Sequence, residues 1–295
     1  MGATHPECKP PARPPPAASI YSPRVKSRSP AIASLRASQW LHFCALPLAG
    51  LGAEDLVSPA GSLRALIGAL IAAGCLGCAY GVNAATDRHT DRCSRKNPLV
   101  AAPGRVAPAI ACALIVAIAA LILALALGRL APLACGLSLL CGLAYSLAGK
   151  RVPVLGLVLN AGIFAPLMAV LLVPGAAPPS FAHELAVFTA LLIQNQLIHE
   201  LADVEEDRAA GAGTTAQRLG DAGAVRVAVA VGLAIPLVSL WLAPPRHALL
   251  AAGVAAVATG ITAAARRDPA RARALHRVTA CVGGALLWLC ARLPG

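Results

Sequence analysis

Apolar stretches of about bilayer length follow one another almost without pause from residue 36 to residue 292, and they constrain the fold more than any other feature. A soluble core cannot enclose so many continuous runs, whereas a bilayer solvates them directly. Nine stretches are read as helices, at 36–52, 63–84, 106–128, 130–149, 153–173, 184–202, 222–242, 246–264 and 274–292. The apolarity is continuous rather than alternating, which excludes a transmembrane β-barrel. Pro132, Pro153, Pro166 and Pro236 fall in these stretches, as membrane helices tolerate. Apolar residues make up 58% of the chain and charged residues only 13%, about half the share usual in soluble domains. The expected fold is therefore an all-α integral membrane protein, a bundle of nine transmembrane helices.

Residues 1–32 differ in kind. They are rich in Pro and basic side chains, and no apolar core of a signal peptide follows. They are expected to form a disordered cytoplasmic tail ahead of a membrane domain at 33–295.

The formal net charge is +12. On a soluble domain that excess would suggest nucleic acid, but here the basic residues sit between apolar segments, so no nucleic-acid partner is expected. With the N-terminus inside and nine alternating helices, 21 of the 25 basic residues fall on the cytoplasmic side. Only Arg64, Arg129, Arg246 and Arg292 remain outside. This is the asymmetry the positive-inside rule requires, and it points to a multi-pass protein of a bacterial-type plasma membrane. The ten cysteines are scattered mostly among Ala and Leu. Cys75 and Cys78 form a CxxC with no second pair at zinc-ligand spacing, so the cysteines read as small apolar filler.

The acidic residues are few and unevenly placed. Asp87 and Asp91 follow the second apolar stretch, and Asp203, Glu205, Glu206 and Asp207 follow the sixth. Both stretches run outside to inside in the expected topology, so both groups reach the cytoplasmic face. Asn83, Asp87 and Asp91 are spaced i, i+4, i+8, which lines them along one helix face. Asp203 and Asp207 are again i, i+4, with His199 one turn earlier. Such like-charge pairs are unfavourable unless something neutralises them. Carboxylates and an amide oxygen are hard ligands suited to Mg2+, an ion usually held by a few carboxylates together with substrate phosphates. The pattern thus predicts Asp87, Asp91, Asp203 and Asp207 as metal ligands around a phosphate-bearing substrate.

These residues resemble those of a known family. Asn83-Ala-Ala-Thr-Asp87-Arg-His-Thr-Asp91 is similar to the NxxxDxxxD motif of the UbiA prenyltransferase superfamily. The stretch from Asp203 to Gly220 resembles its DxExDxxxGxxT motif followed by Gly, with Glu205, Asp207, Gly211 and Thr214 in register. Tyr145-Ser146-Leu-Ala-Gly-Lys150 resembles its YSxxxK. Ala84 stands where many members carry Asp, Glu206 where Gly is common, and Asn97 where Arg precedes Pro-Leu.

The resemblance implies Mg2+-dependent transfer of a prenyl group from an allylic prenyl diphosphate to a hydrophobic acceptor. It also implies a central cavity open to the cytoplasmic side and to lipid. It assigns Lys150 to the diphosphate and Tyr145 to the allylic cation as catalytic residues. Asn83, Arg88, Arg92, Arg95, Lys96 and Arg151 become substrate-binding candidates. Members of the superfamily prenylate acceptors from aromatic acids to lipids, and no motif here selects among them, nor an oligomeric state. The reading from another class is a secondary transporter with cavity carboxylates, for which Glu200 is the one candidate acid deeper in a helix. Trp40 and His42 are further candidates to line the acceptor pocket.

Overall fold

The computed structural model describes residues 29–91, 97–209 and 211–292 and, among them, contains helices and no strands. The N-terminal residues 1–28, and with them nearly all of the expected tail, lie outside the described residues. Two short helices, α1 (Pro30–Ala33) and α2 (Ala37–Trp40), lead into a 3-10 helix, Leu41–Gly50. A one-turn helix α3 (Ala53–Val57) precedes the long α4 (Pro59–Asp87). Then follow α5 (Val106–Leu125), α6 (Leu130–Leu147), α7 (Leu155–Phe164), α8 (Phe181–Ala202) and the short α9 (Val204–Ala209). The chain ends in α10 (Thr215–Leu242), α11 (Pro245–Ala264) and α12 (Pro269–Arg292).

Seven helices among the described residues are long and apolar enough to cross a membrane: α4, α5 with its 3-10 lead-in, α6, α8, α10, α11 and α12. The other two expected helices are broken. The stretch at 36–52 becomes α2 and a ten-residue 3-10 helix with Pro47 inside it. The stretch at 153–173 becomes α7 and a 3-10 turn, Ala165–Ala169, with Pro166 in its first turn. In both, proline removes a backbone donor and favours the tighter hydrogen-bond pattern. Ten residues of 3-10 helix rise about 20 Å, more than the same residues would as α-helix. The first segment thus keeps much of its reach.

The exterior supports a membrane setting. Leu114, Ile115, Ile118, Ile122 and Leu125 all point outward from α5 and are more than half exposed. That apolar face suits lipid and not water. Polar side chains turn inward instead. Gln194 on α8 donates through Nε2 to the Ala228 carbonyl of α10 at 2.9 Å, and its Oε1 accepts from His276 Nε2 of α12 at 3.2 Å. His183 of α8 meets Ser239 of α10 at 2.9 Å. Satisfied polar pairs of this kind join helices where lipid offers no hydrophobic drive to association. Small residues do the rest: Gly81 of α4 lies so close to Ala113 of α5 that a Cβ there would sit 3.1 Å from the alanine methyl.

The α12 helix is tied to the 3-10 helix near its C-terminus. There Trp288 donates to the Leu48 carbonyl at 3.1 Å. Arg292 donates to the carbonyls of Ala49 and Leu51 and pairs with Glu184 of α8. Toward the opposite end the two segments diverge around an apolar cavity.

Candidate active site

The motif residues sit where helices end. The α4 helix stops at Asp87, yet the amide of Asp91 still donates to the Asp87 carbonyl at 2.8 Å. Helical geometry therefore carries one turn further and brings Asn83, Asp87 and Asp91 to one wall. On the facing element, Asp203 caps α8 with a non-helical conformation, and its carbonyl accepts from the Asp207 amide at 2.9 Å. Asp203 and Asp207 thus keep their one-turn spacing across the break between α8 and α9. His199 Nδ1 lies 3.3 Å from the Asp203 carboxylate.

The loop after α9 explains two motif positions. Gly211 takes φ 68°, while Ala212 donates to the Asp207 carbonyl and Gly211 to that of Arg208. This is a Schellman closure, in which a left-handed residue follows the helix end. Gly220, at φ 69°, breaks α10 near its start, which is why the long apolar part begins where the sequence placed it. Thr214 caps α10, accepting from the Gln217 amide. Glu200 accepts from the Ala216 amide at 3.0 Å, a carboxylate at a helix N-terminus where the dipole favours it.

All four aspartates line one polar cavity of about 500 Å³, although Asp87 and Asp203 are 116 residues apart. Asn83, Tyr145 and Arg151 line it too. The Asn83 side-chain oxygen, Oδ1, is buried there without a hydrogen-bond partner. Tyr145 Oη accepts from the Gln196 amide at 3.4 Å. Arg88 instead folds back onto the Ala85 carbonyl and does not line the cavity; its long side chain finds a partner on its own helix. Arg92, Arg95, Lys96 and the Lys150 side chain lie outside the described residues.

Among the described residues, no three His, Cys, Asp or Glu side chains draw close enough to cage a metal ion by themselves. Asp91 shows one reason: its Oδ2 accepts from Asn97 at 3.0 Å and pairs with Arg36 at 3.3 Å. The donors therefore line the two sides of the cavity as hard oxygens without closing on one point. That fits an ion completed by substrate oxygens and not a closed protein site.

Two departures from the family motif acquire reasons. Ala84 is fully buried against Ala31, Leu99 and Ala109, so this position faces helix packing and not the cavity. Asn97 is also fully buried. It donates to the Ala84 carbonyl at 2.8 Å and to Asp91, and accepts from the Leu99 amide. The positive charge next to Asp91 comes instead from Arg36, aimed into the cavity from a left-handed turn at φ 52° between α1 and α2.

Sequence reasoning placed Arg36, Arg273 and Arg277 among topology charges, yet all three line this cavity. Gln196 and Asn195, on α8, were not singled out and line it as well. The one clue for the α12 pair was the i, i+4 spacing of Arg273 and Arg277, at the end of the basic run that begins at Arg266. Phe43, Leu192, Asn195 and Arg277 also border the second, apolar cavity of about 520 Å³ between the 3-10 helix, α8 and α12. Phe43 packs on Phe164 with ring centroids 4.6 Å apart, and together they border the polar side. His42 lines the apolar cavity, whereas Trp40 is buried and donates to the Leu35 carbonyl at 2.5 Å.

The UbiA prenyltransferase family matches residues 41–288, and the chain belongs to that family. It is thus a prenyltransferase by descent, built from membrane-spanning helices. No curated protein sequence matches the chain. Among solved structures, a UbiA homologue from Archaeoglobus fulgidus bound to GPP and Mg2+ superposes with TM-score 0.72 at 21% identity, over 90% of this chain and 99% of that one. A structure described for digeranylgeranylglyceryl phosphate synthase in membranes gives 0.70 at 13% identity, over 89% and 98%. An apo UbiA homologue from Aeropyrum pernix K1 gives 0.68 at 19% identity, over 85% and 98%. At these identities the likeness establishes the fold.

Proposed function

We propose that this protein transfers a prenyl group from an allylic prenyl diphosphate to a hydrophobic acceptor, with Mg2+ held between the two aspartate motifs and the diphosphate. The observation that carries the proposal is the meeting of Asp87, Asp91, Asp203 and Asp207 on one cavity beside the unpartnered Asn83 oxygen. Homologous structures bound to GPP or DMAPP together with Mg2+ support it.

When bound, Mg2+ neutralises the diphosphate so that it can leave. The remaining work falls to the chain. Asp87 and Asp203 orient the donor from opposite walls, and Arg151, in the loop after α6, lines the cavity and suits the phosphate oxygens. Lys150 is assigned the same task on its motif position alone. The C1–O bond breaks with its electron pair on the diphosphate, and Tyr145 presents its ring and oxygen to the allylic cation. The acceptor's nucleophilic atom forms the new bond to C1, and its proton passes to the released diphosphate. The apolar cavity behind Phe43 houses hydrophobic parts of the substrates away from water.

In this proposal nine segments cross a bacterial-type plasma membrane, counting the two broken ones, and the polar cavity opens to the cytoplasm. The residues ahead of α1 form a cytoplasmic tail, shorter than the 32 residues expected, because Ala31 of α1 already packs against Ala84 and Ala109. The transporter reading finds little support, because Glu200 is engaged in capping α10. The test is prenyl transfer by the purified protein in lipid nanodiscs. Product and diphosphate should form together only when Mg2+ is present. Turnover that persists in excess chelator would refute the proposal.

A further inference from the structure

Arg273 and Arg277 stand one turn apart on α12, and both face the polar cavity. Like charges at that spacing repel each other. Among the described residues, neither has a carboxylate within ion-pair distance, although acidic groups line the same cavity. Asp203 influences Arg273 only through longer-range attraction. The Nε of each arginine is buried without a hydrogen-bond partner.

Arg277 lies near the start of the apolar part of α12, two turns past the helix start, and turns to the cavities and not to lipid. A charge so placed in a membrane protein marks a functional site. Two neighbouring arginines without an acid suit an anion from elsewhere.

Position separates that anion from the donor's diphosphate. The four aspartates border only the polar cavity, whereas Arg277 also borders the apolar one. Asn195 shares that junction, and its buried Oδ1 has no partner. A molecule with its apolar body between the 3-10 helix and α12 would bring its polar end to Arg277, then Arg273. Arg36 is excluded from this pair because it already engages Asp91.

We propose that Arg277 and Arg273 bind an acidic group, carboxylate or phosphate, on the prenyl acceptor, so that the acceptor class is a hydrophobic acid. This rests on the prenyltransferase reading. Guanidinium groups bind both anions through paired, charge-assisted hydrogen bonds, and the test separates the two.

The experiment measures ligand affinity for the protein in lipid nanodiscs with Mg2+ and geranyl thiolodiphosphate, a donor that does not ionise. Two matched pairs of probes are compared: 4-hydroxyphenylacetate against its amide, and dodecyl phosphate against dodecanol. At least one acid should bind roughly tenfold more tightly than its neutral partner, and which acid does so tells carboxylate from phosphate. Arg277→Gln and Arg273→Gln should abolish that preference while donor affinity holds, which also shows the variants to be folded. Arg277→Lys should restore part of it. Equal affinity of acids and neutral partners overturns the proposal. So does a loss of donor affinity in the Gln variants matching the loss for the acid, since the arginines would then serve the diphosphate. Absence of Mg2+-dependent donor binding in the wild type would overturn the prenyltransferase reading, and this inference with it.

Discussion

Arg36→Met offers a direct probe of how the first motif is held. The Arg36 and Asp91 side chains are only 9% and 12% exposed, with nitrogen and oxygen 3.3 Å apart. Removing one partner of a fully buried pair costs about 3–5 kcal/mol, because the other charge is left uncompensated. Here Asn97 still donates to Asp91 at 3.0 Å, and the cavity admits water. The expected loss is therefore lower, about 2 kcal/mol, near the bottom of the range measured for close charge pairs. In a chain of this size that corresponds to a fall in melting temperature of about 3 °C. The assay is a double-mutant cycle of Arg36→Met and Asp91→Asn, read by thermal unfolding in detergent. The double variant should be more stable than the summed singles predict, by about 2 kcal/mol. Additivity within about 0.5 kcal/mol would show that the pair contributes no coupling and refute the reasoning.

Other expectations are as specific. Asp87→Asn and Asp203→Asn should abolish prenyl transfer while the protein still inserts and melts cooperatively; full turnover at ordinary Mg2+ would exclude these carboxylates from the chemistry. Lys150→Ala should weaken donor binding and make what remains more salt-sensitive, measurable as donor KM against ionic strength. Gly220→Ala forces a side chain into φ 69°, ψ 162°, a region essentially reserved for glycine, and should cost about 1–3 kcal/mol of stability, visible as a lower melting temperature. Cysteines introduced at Val57 and Pro178 should react with an impermeant reagent from outside whole cells, and labelling from the cytoplasmic side alone would reverse the topology.

How far the molecule could be read in advance depended on what each signal encodes. Apolar length located α4, α5, α6, α8, α11 and α12 well, because length alone decides whether a helix can span a bilayer. It could not reveal the breaks at Pro47 and Pro166. An apolar run specifies burial but not the hydrogen-bond pattern, and many membrane helices accommodate proline without a break. Motif spacing placed Asn83, Asp87 and Asp91 on one side because i+4 geometry survives the end of α4. Arg88 went astray for a related reason: its position in sequence does not say whether the side chain turns to the cavity or, as it does, to the Ala85 carbonyl. Arg36, Arg273 and Arg277 were hidden among loop charges, since the direction in which they point is set by how α12 and the N-terminal turn pack against α8 and α4. Ala84, a missing carboxylate when read from the motif, faces the contact with α5.

The central claim is that two aspartate motifs act together, through Mg2+, on one prenyl diphosphate. Calorimetric titration of geranyl thiolodiphosphate into the protein in nanodiscs tests it most directly. Wild-type protein should bind the donor only with Mg2+, and Asp87→Asn and Asp203→Asn should each lose that binding, although the two residues come from different helices. Donor binding that is indifferent to Mg2+, or that survives either substitution unchanged, would contradict the account.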